Sequence, residues 1–90
     1  MGKEIKTISL DINETLYISK LCKTFGFLKE NINNGKGGFA AIKISSLKPI
    51  IKEDIETLKR GFKKQFKANL HVKRVNQNNL FHCAYITKIS

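Results

Sequence analysis

The segment from residue 51 to residue 66 constrains the fold more than any other part of the sequence. Its apolar residues recur three or four positions apart, as they do on one face of an α-helix; they are Ile51, Ile55, Leu58, Phe62 and Phe66. We therefore predict a helix here, with Ser45 or Ser46 as its N-cap and Pro49 in its first turn. A helix with one apolar face must cover another layer, so the rest of the chain has to supply that layer.

The N-terminal part of the chain is expected to form a strand and a second helix. Apolar and polar residues alternate near the start, which predicts a strand over about residues 4–12. Asn13 follows as the N-cap of a helix. The apolar stripe of this helix consists of Tyr17, Leu21, Phe25, Leu28 and Ile32. Gly26 interrupts the stripe, so the helix ends either at its last apolar position or near Lys23.

The remaining segments predict a loop, a strand and a hairpin. Asn and Gly dominate residues 33–38 and favour a loop, and the apolar run 39–44 is typical of a strand inside a sheet. Two alternating segments flank the polar residues 76–79 and predict a C-terminal β-hairpin. The elements follow in the order β-α-β-α-β-β. We expect an α+β fold in a single small domain over residues 1–90, with one sheet and two helices packed on one of its faces.

This order of elements resembles that of the Alba chromatin proteins and of the C-terminal domain of bacterial translation initiation factor three. Both are compact nucleic-acid binders, so the resemblance implies binding of nucleic acid by analogy of fold. It is confined to topology. Alba-type chains carry a basic loop between the first strand and the first helix, whereas this chain has Asp11 and Glu14 there. No residue role is carried over from either family.

The two cysteines, Cys22 and Cys83, bear on metal binding and on the cellular compartment. They lie far apart in the sequence, and neither has a neighbour at metal-ligand spacing, so we expect no metal and no cofactor. Both lie among apolar residues, which favours reduced thiols in a core over a disulfide. With no apolar run of membrane-spanning length and no signal-like N-terminus, we expect a cytoplasmic protein.

The charge is strongly basic and unevenly distributed. Seventeen Lys and Arg stand against seven Asp and Glu, which gives a formal charge of +10, and the segment from Thr57 to Val75 contains seven bases and no acid. On a helix, three of these lysines form one line with two further bases beside it, opposite the apolar stripe. The predicted phosphate-binding residues of this segment are Lys59, Arg60, Lys63, Lys64, Lys67, Lys73 and Arg74. The alternative is a solvated, lysine-rich surface.

Aromatic residues in the C-terminal hairpin suggest a second mode of binding. Phe81 and Tyr85 share one face of the last strand, and Ala84 and Ile86 share the other. If Ala84 and Ile86 pack against the helices, the two rings lie on the open side near Lys73, where they can stack unpaired bases. The opposite assignment buries the rings. Lys88 falls in phase with Ala84 and Ile86, so the pattern leaves both assignments open.

Two weaker signals concern a glycine loop and the histidines. Residues Gly35 to Gly38 resemble the G-x-x-G loop of KH domains, although here the loop leads into a strand. Lys36 lies within this loop and is a further candidate phosphate contact. His71 and His82 can approach each other across a hairpin, as an acid–base pair of a small ribonuclease would. No carboxylate is near either histidine to orient its ring, so we expect no enzymatic activity.

These features together predict a small basic protein that binds DNA or RNA without catalysis. Recognition would involve the phosphate backbone, together with nucleic-acid shape or single strands. The alternative is a protein-interaction module from a phage or mobile element that docks on an acidic protein surface, because its charge would be the same. An exposed edge strand also makes a homodimer a candidate state.

Overall fold

The computed structural model describes residues 7–76 and 81–89, which form two helices and five strands. In chain order these are β1 (Thr7–Ile8), α1 (Ile12–Phe25), β2 (Leu28–Asn33), β3 (Phe39–Ser46), α2 (Lys52–Phe66), β4 (Asn69–Asn76) and β5 (His82–Ile89). The five strands form one antiparallel sheet, and both helices contribute to the core on one side of it. The expected α+β fold is confirmed.

Strand β5 organises the sheet because it pairs with three other strands. It pairs with β4 along its whole length, with β3 through residues 82–86, and with β1 at residues 88–89. Strand β3 also pairs with β2, so it lies in the interior of the sheet, as its apolar sequence predicts. The C-terminal hairpin is confirmed for β4 and β5; the polar turn predicted over 76–79 and Leu80 lie largely outside the described residues.

The predicted order of six elements is wrong by one strand. Helix α1 ends at Phe25 because Gly26 adopts a left-handed conformation, with φ +82°, and its N–H donates to the Lys23 carbonyl. Leu28 and Ile32, assigned to the helical stripe, lie instead in β2, which forms a hairpin with β3. Their spacing of four positions fits both a helix and alternate positions of a strand, so spacing alone could not separate the two.

The start of α1 is also displaced from its predicted position. Strand β1 ends at Ile8, and Asp11 rather than Asn13 caps the helix. The Glu14 N–H donates to Asp11 Oδ1 and the Asp11 N–H donates to Glu14 Oε1, both at 2.8 Å. This reciprocal capping box satisfies two backbone donors that would otherwise be unpaired at the helix end.

Helix α2 starts later than the serine caps predict. Ser45 and Ser46 belong to β3, and Pro49 precedes the helix, which begins at Lys52 without a side-chain cap. The serines therefore do not cap α2, because the sheet extends through them. Ser46 is buried, and its hydroxyl accepts a hydrogen bond from the Lys48 N–H.

The apolar stripe of α2 forms the centre of the core. Phe62 is fully buried, and Tyr17 of α1 packs its ring edge against Phe62 and Phe66 at centroid distances of 6.3 and 5.5 Å. A Cβ atom at Gly61 would lie 2.5 Å from Tyr17 Oη, so the two helices approach closely there. Ile51, the first residue of the predicted stripe, is 47% exposed and lies outside this core.

The helix-facing side of β5 carries one charged residue, and that residue has a partner. Ala84 and Ile86 are fully buried, and Lys88 lies in phase with them. Its Nζ atom is 2.6 Å from Oε2 of Glu14, whose side chain is almost completely buried. The ion pair explains why Lys88 interrupts the apolar face, and it confirms that Ala84 and Ile86 face the helices.

Cys22 and Cys83 are free and buried, as the sequence predicts. In the described ranges, no helix has the length and apolar content that a membrane span needs.

We expect Asp11→Ala to lower the free energy of unfolding by about 1 kcal/mol, because the Glu14 N–H loses its acceptor. Asn13→Ala is the matched control, since the Asn13 side chain is exposed and Asn13 is not the cap; it should change stability by less than about 0.5 kcal/mol. Urea unfolding followed by circular dichroism measures both variants. A larger loss in the Asn13 variant would contradict the assignment of the cap.

Lys88→Met should destabilise the fold by about 2–3 kcal/mol, because it leaves the Glu14 carboxylate buried without its counter-charge. Lys48→Met removes an exposed lysine and should have little effect. The same urea titration compares the two variants. Equal stabilities would show that the Glu14–Lys88 pair contributes nothing to the fold.

Candidate nucleic-acid interface

The outer surface of α2 changes from acidic to basic along the helix. Acidic residues occupy the first turns, and the C-terminal half presents exposed bases, as the helix dipole favours. Arg60, Lys63 and Lys64 are exposed, whereas Lys59 is half-buried. Three of the predicted cations therefore project into solvent from one part of the helix.

Lys67 lies beyond the end of α2, contrary to the predicted line of three lysines. It is the C-cap residue, with φ +55°, and its N–H donates to the Lys63 carbonyl at 2.8 Å. The helical line ends at Lys63, although the Lys67 side chain is exposed. We call Arg60, Lys63, Lys64 and Lys67 the α2 basic surface.

Lys73 and Arg74 lie on opposite faces of β4. Arg74 is opposite the buried Ala84, on the helix side of the sheet, and its Nη1 donates to the Ile50 carbonyl at 3.2 Å. Its guanidinium is therefore held near the start of α2, away from the α2 basic surface. Lys73 is opposite Tyr85, on the face that points away from the helices. The two residues are adjacent in sequence but do not form one cationic patch.

The sheet face that points away from the helices, here called the open face, carries a row of charged and aromatic residues. Cross-strand pairing aligns Glu30 with Lys43, Lys43 with Tyr85, and Tyr85 with Lys73. Directly opposite residues share a face, and Tyr85 alternates with the buried Ala84 and Ile86. The placement of Tyr85 on the open face beside Lys73 agrees with the first of the two assignments drawn from the sequence.

An apolar groove continues the open face toward one end of the sheet. Phe81 is half-buried and lines this groove of about 430 Å³ together with Leu28, Ser45 and Leu47. Leu28 and Leu47 are 65% and 74% exposed, so their apolar surface is largely uncovered. Phe81 and Tyr85 thus lie along the same side of the sheet.

Lys36 is exposed in the hairpin loop between β2 and β3. Its N–H donates to Asn34 Oδ1 at 2.7 Å, and Gly35 and Gly37 have φ values of +79° and +84°. The loop joins two strands, unlike the KH loop, which joins two helices. Because α2 runs from the end of β3 to the start of β4, Lys36 lies at the same end of the sheet as the C-terminal end of α2.

His71 and His82 do not form a pair. His71 is opposite Thr87 and His82 is opposite Asn76, so they are separated by five positions along β5, or roughly 17 Å. An odd separation also places them on opposite faces of the sheet. The approach of the two histidines that the sequence allowed therefore does not occur. Within residues 7–76 and 81–89, no group of three or more His, Cys, Asp or Glu side chains is arranged to hold a metal ion.

Seven of the ten predicted site residues therefore divide between two surfaces on opposite sides of the molecule, whereas Lys36, Lys59 and Arg74 belong to neither surface. The α2 basic surface lies on the outside of the helix layer, and Lys73, Tyr85 and Phe81 lie on or beside the open face. Sequence reasoning missed Lys43, which completes the row around Tyr85. Its signal was the single polar position between the buried Ile42 and Ile44 in an otherwise apolar run.

No protein-family model, no curated protein and no solved structure matches the chain. Function must be inferred from the charges and side-chain geometry of the chain itself. The likeness to the Alba proteins and to the initiation-factor domain rests on an order of six elements, and the additional strand β2 departs from that order. It therefore carries no functional argument.

Neither cysteine should act as a nucleophile in the folded protein. Burial raises the pKa of the Cys22 thiol to about 11, against an opposing effect of Lys29. Cys83 is buried, with its Sγ atom 3.7 Å from Ser45 Oγ.

We expect the native Cys83→Ala variant, in which Cys22 is the remaining thiol, to react with a disulfide reagent at pH 8 at least tenfold more slowly than the same variant unfolded in urea. The folded thiol stays protonated until the pH approaches its raised pKa, whereas an unfolded thiol ionises near its ordinary value of about 8.5. Stopped-flow absorbance of the released thiolate measures both rates. Equal rates would show that Cys22 is accessible and ionised in the fold.

Proposed function

We propose that this protein is a nucleic-acid-binding domain that holds the phosphate backbone of DNA or RNA with the α2 basic surface. The observation that carries the proposal is the exposure of Arg60, Lys63, Lys64 and Lys67 in a segment that contains no carboxylate. None of these four cations takes part in an ion pair with another described residue. Their charge is therefore available to an external anion.

The electrostatics of the α2 basic surface favour a polyanion as the ligand. Arg60 and Lys64 are four positions apart on the helix, where like charges repel by a few tenths of a kcal/mol. A phosphate backbone would relieve this repulsion and would release its own condensed counterions, which makes association favourable at low salt. The formal net charge of +10 adds long-range attraction for any nucleic acid.

The residue types support recognition of the backbone rather than of base sequence. Three of the four members of the surface are lysines, which contact phosphates as point charges. Bidentate reading of base edges uses Arg, Asn or Gln in the groove, and the surface has one Arg. The separation of His71 from His82 supports binding over hydrolysis of the nucleic acid. We also propose a cytoplasmic location, because the two cysteines are free and buried.

Lys63→Gln/Lys64→Gln should weaken binding to a mixed-sequence duplex and reduce its dependence on salt. Each lost phosphate contact lowers the slope of log affinity against log salt by about 0.9, so the double variant should lose up to about 2 units of slope. The matched control is Lys23→Gln/Lys52→Gln, which removes the same charge from exposed positions outside the surface. Fluorescence anisotropy of a labelled duplex at several salt concentrations measures both slopes.

Equal slopes for the two double variants would show that the α2 basic surface is only a solvated face. If the parent protein binds neither duplex nor single strand at low salt, the proposal fails, and an acidic protein partner becomes the leading explanation of the charge.

A further inference from the structure

We propose that the open face of the sheet binds single-stranded nucleic acid, with an unpaired base stacked on Tyr85 and the adjoining phosphates held by Lys43 and Lys73. This inference rests on the proposed function. It adds single strands as a ligand and the open face as a second binding surface. It is carried by the cross-strand register, which places one cation on each side of the aromatic ring.

The register fixes the geometry around Tyr85. Lys43 of β3 and Lys73 of β4 are both directly opposite Tyr85, and directly opposite residues have Cβ atoms about 4.5–5.5 Å apart. Tyr85 is half-buried and Lys73 is exposed. A half-buried ring on the face of a sheet can provide a stacking surface, and the two lysine side chains can reach phosphates on either side of a stacked base.

The charges of the strands favour an anionic ligand on this face. Strands β3, β4 and β5 contain no carboxylate. Glu30 of β2 is the one acidic residue in the five described strands, and it lies at the end of the row, beyond Lys43. Glu30 is directly opposite Lys43 but forms no ion pair with it, and Tyr85 and Lys73 lie farther from Glu30. From Lys43 through Tyr85 to Lys73, the row therefore contains cations and no acidic residue.

The apolar groove lets the same surface accommodate a neighbouring base. Leu28 and Ser45 are opposite each other in the row next to that of Tyr85, and Phe81 closes the groove beside them. Exposed leucines give an apolar contact surface, and the backbone of a single strand remains free to follow the lysines. Single-stranded nucleic acid combines apolar base faces with a phosphate backbone, which matches this mixture of apolar and cationic groups.

The open face discriminates between single strands and duplexes. Bases in a duplex are already stacked and paired, so their faces cannot reach a ring on the surface of the sheet. A duplex would contact Lys43 and Lys73 only through its backbone. The α2 basic surface lies on the other side of the molecule, so changes at Tyr85 leave it intact.

Tyrosine fluorescence can report on this surface directly. The chain has two tyrosines and no tryptophan, and Tyr17 is packed between the helices. In a Tyr17→Phe variant, Tyr85 is the remaining tyrosine. We expect saturating oligo(dT) or oligo(U) of about twelve nucleotides to quench its emission by more than half through base stacking. A duplex of matched absorbance, which serves as the inner-filter control, should lower the emission only by the amount that its absorption accounts for.

Substitutions then separate stacking from charge. Tyr85→Leu should weaken single-strand binding roughly tenfold to a hundredfold and leave duplex affinity unchanged, whereas Tyr85→Phe should retain single-strand affinity because it keeps the ring. Lys43→Gln/Lys73→Gln leaves the ring in place and should reduce the single-strand salt slope by about 1.4. Circular dichroism and urea unfolding verify the fold, and the lysine variant decides the question if Tyr85→Leu does not fold.

The outcomes distinguish this inference from the proposed function. One outcome is that single strands leave the Tyr85 emission of Tyr17→Phe unchanged and bind Tyr85→Leu as tightly as the parent protein. If Lys63→Gln/Lys64→Gln nevertheless weakens binding, the open face is not the site and the proposed function stands. If Tyr85→Leu weakens duplex and single-strand binding equally, stacking of an unpaired base is also contradicted. Absence of binding to any nucleic acid at low salt overturns both proposals.

Discussion

The arrangement of this fold depends on the carboxylate of Glu14. One of its oxygens accepts the Asp11 N–H and helps to fix the first turn of α1, and the other pairs with Lys88 of β5 at 2.6 Å. A buried carboxylate is costly unless it is paired, and these two contacts together offset that cost. This single side chain thereby connects the first helix to the strand that pairs with three others.

The ion pair also determines which residues face outward. A shift of one residue in β5 would move every side chain to the opposite face of the sheet. Lys88 can remain on the helix side because Glu14 neutralises it there, and Ala84 and Ile86 then complete the core. Tyr85 is consequently placed on the open face between two lysines. The composition of the candidate single-strand surface thus follows from a contact on the other side of the sheet.

The sequence predicts those elements whose apolar pattern fits a single period. The stripe of α2 recurs at helical spacing and has no strand alternative. The hairpin strands alternate, although Lys88 left open which of their faces is buried. In contrast, Leu28 and Ile32 fit both periods, and the effect of Gly26 depends on its backbone conformation, which tertiary contacts settle. Several residues near each helix start can act as caps, and the choice among them depends on where the preceding strand ends.

The exposed cations of α2 were predictable because they lie opposite a well-defined apolar stripe. Their separation from the other candidate residues was not. Lys73 and Arg74 are neighbours in the sequence, but alternation along β4 sends them to opposite faces of the sheet. The pairing of Lys43 with Tyr85 joins residues far apart in the chain, so it depends on a register that no local pattern encodes.

The cations proposed to bind a ligand lie outside the buried core of this protein. The buried cluster consists of apolar side chains, and the one ion pair among the described residues involves neither the α2 basic surface nor the row around Tyr85. A formal charge of +10 on 90 residues imposes self-repulsion on the compact state and adds nothing to the core. No ion pair between described residues offsets the repulsion among the cations of the α2 basic surface, and this is the physical basis of the proposal that they bind an anionic ligand.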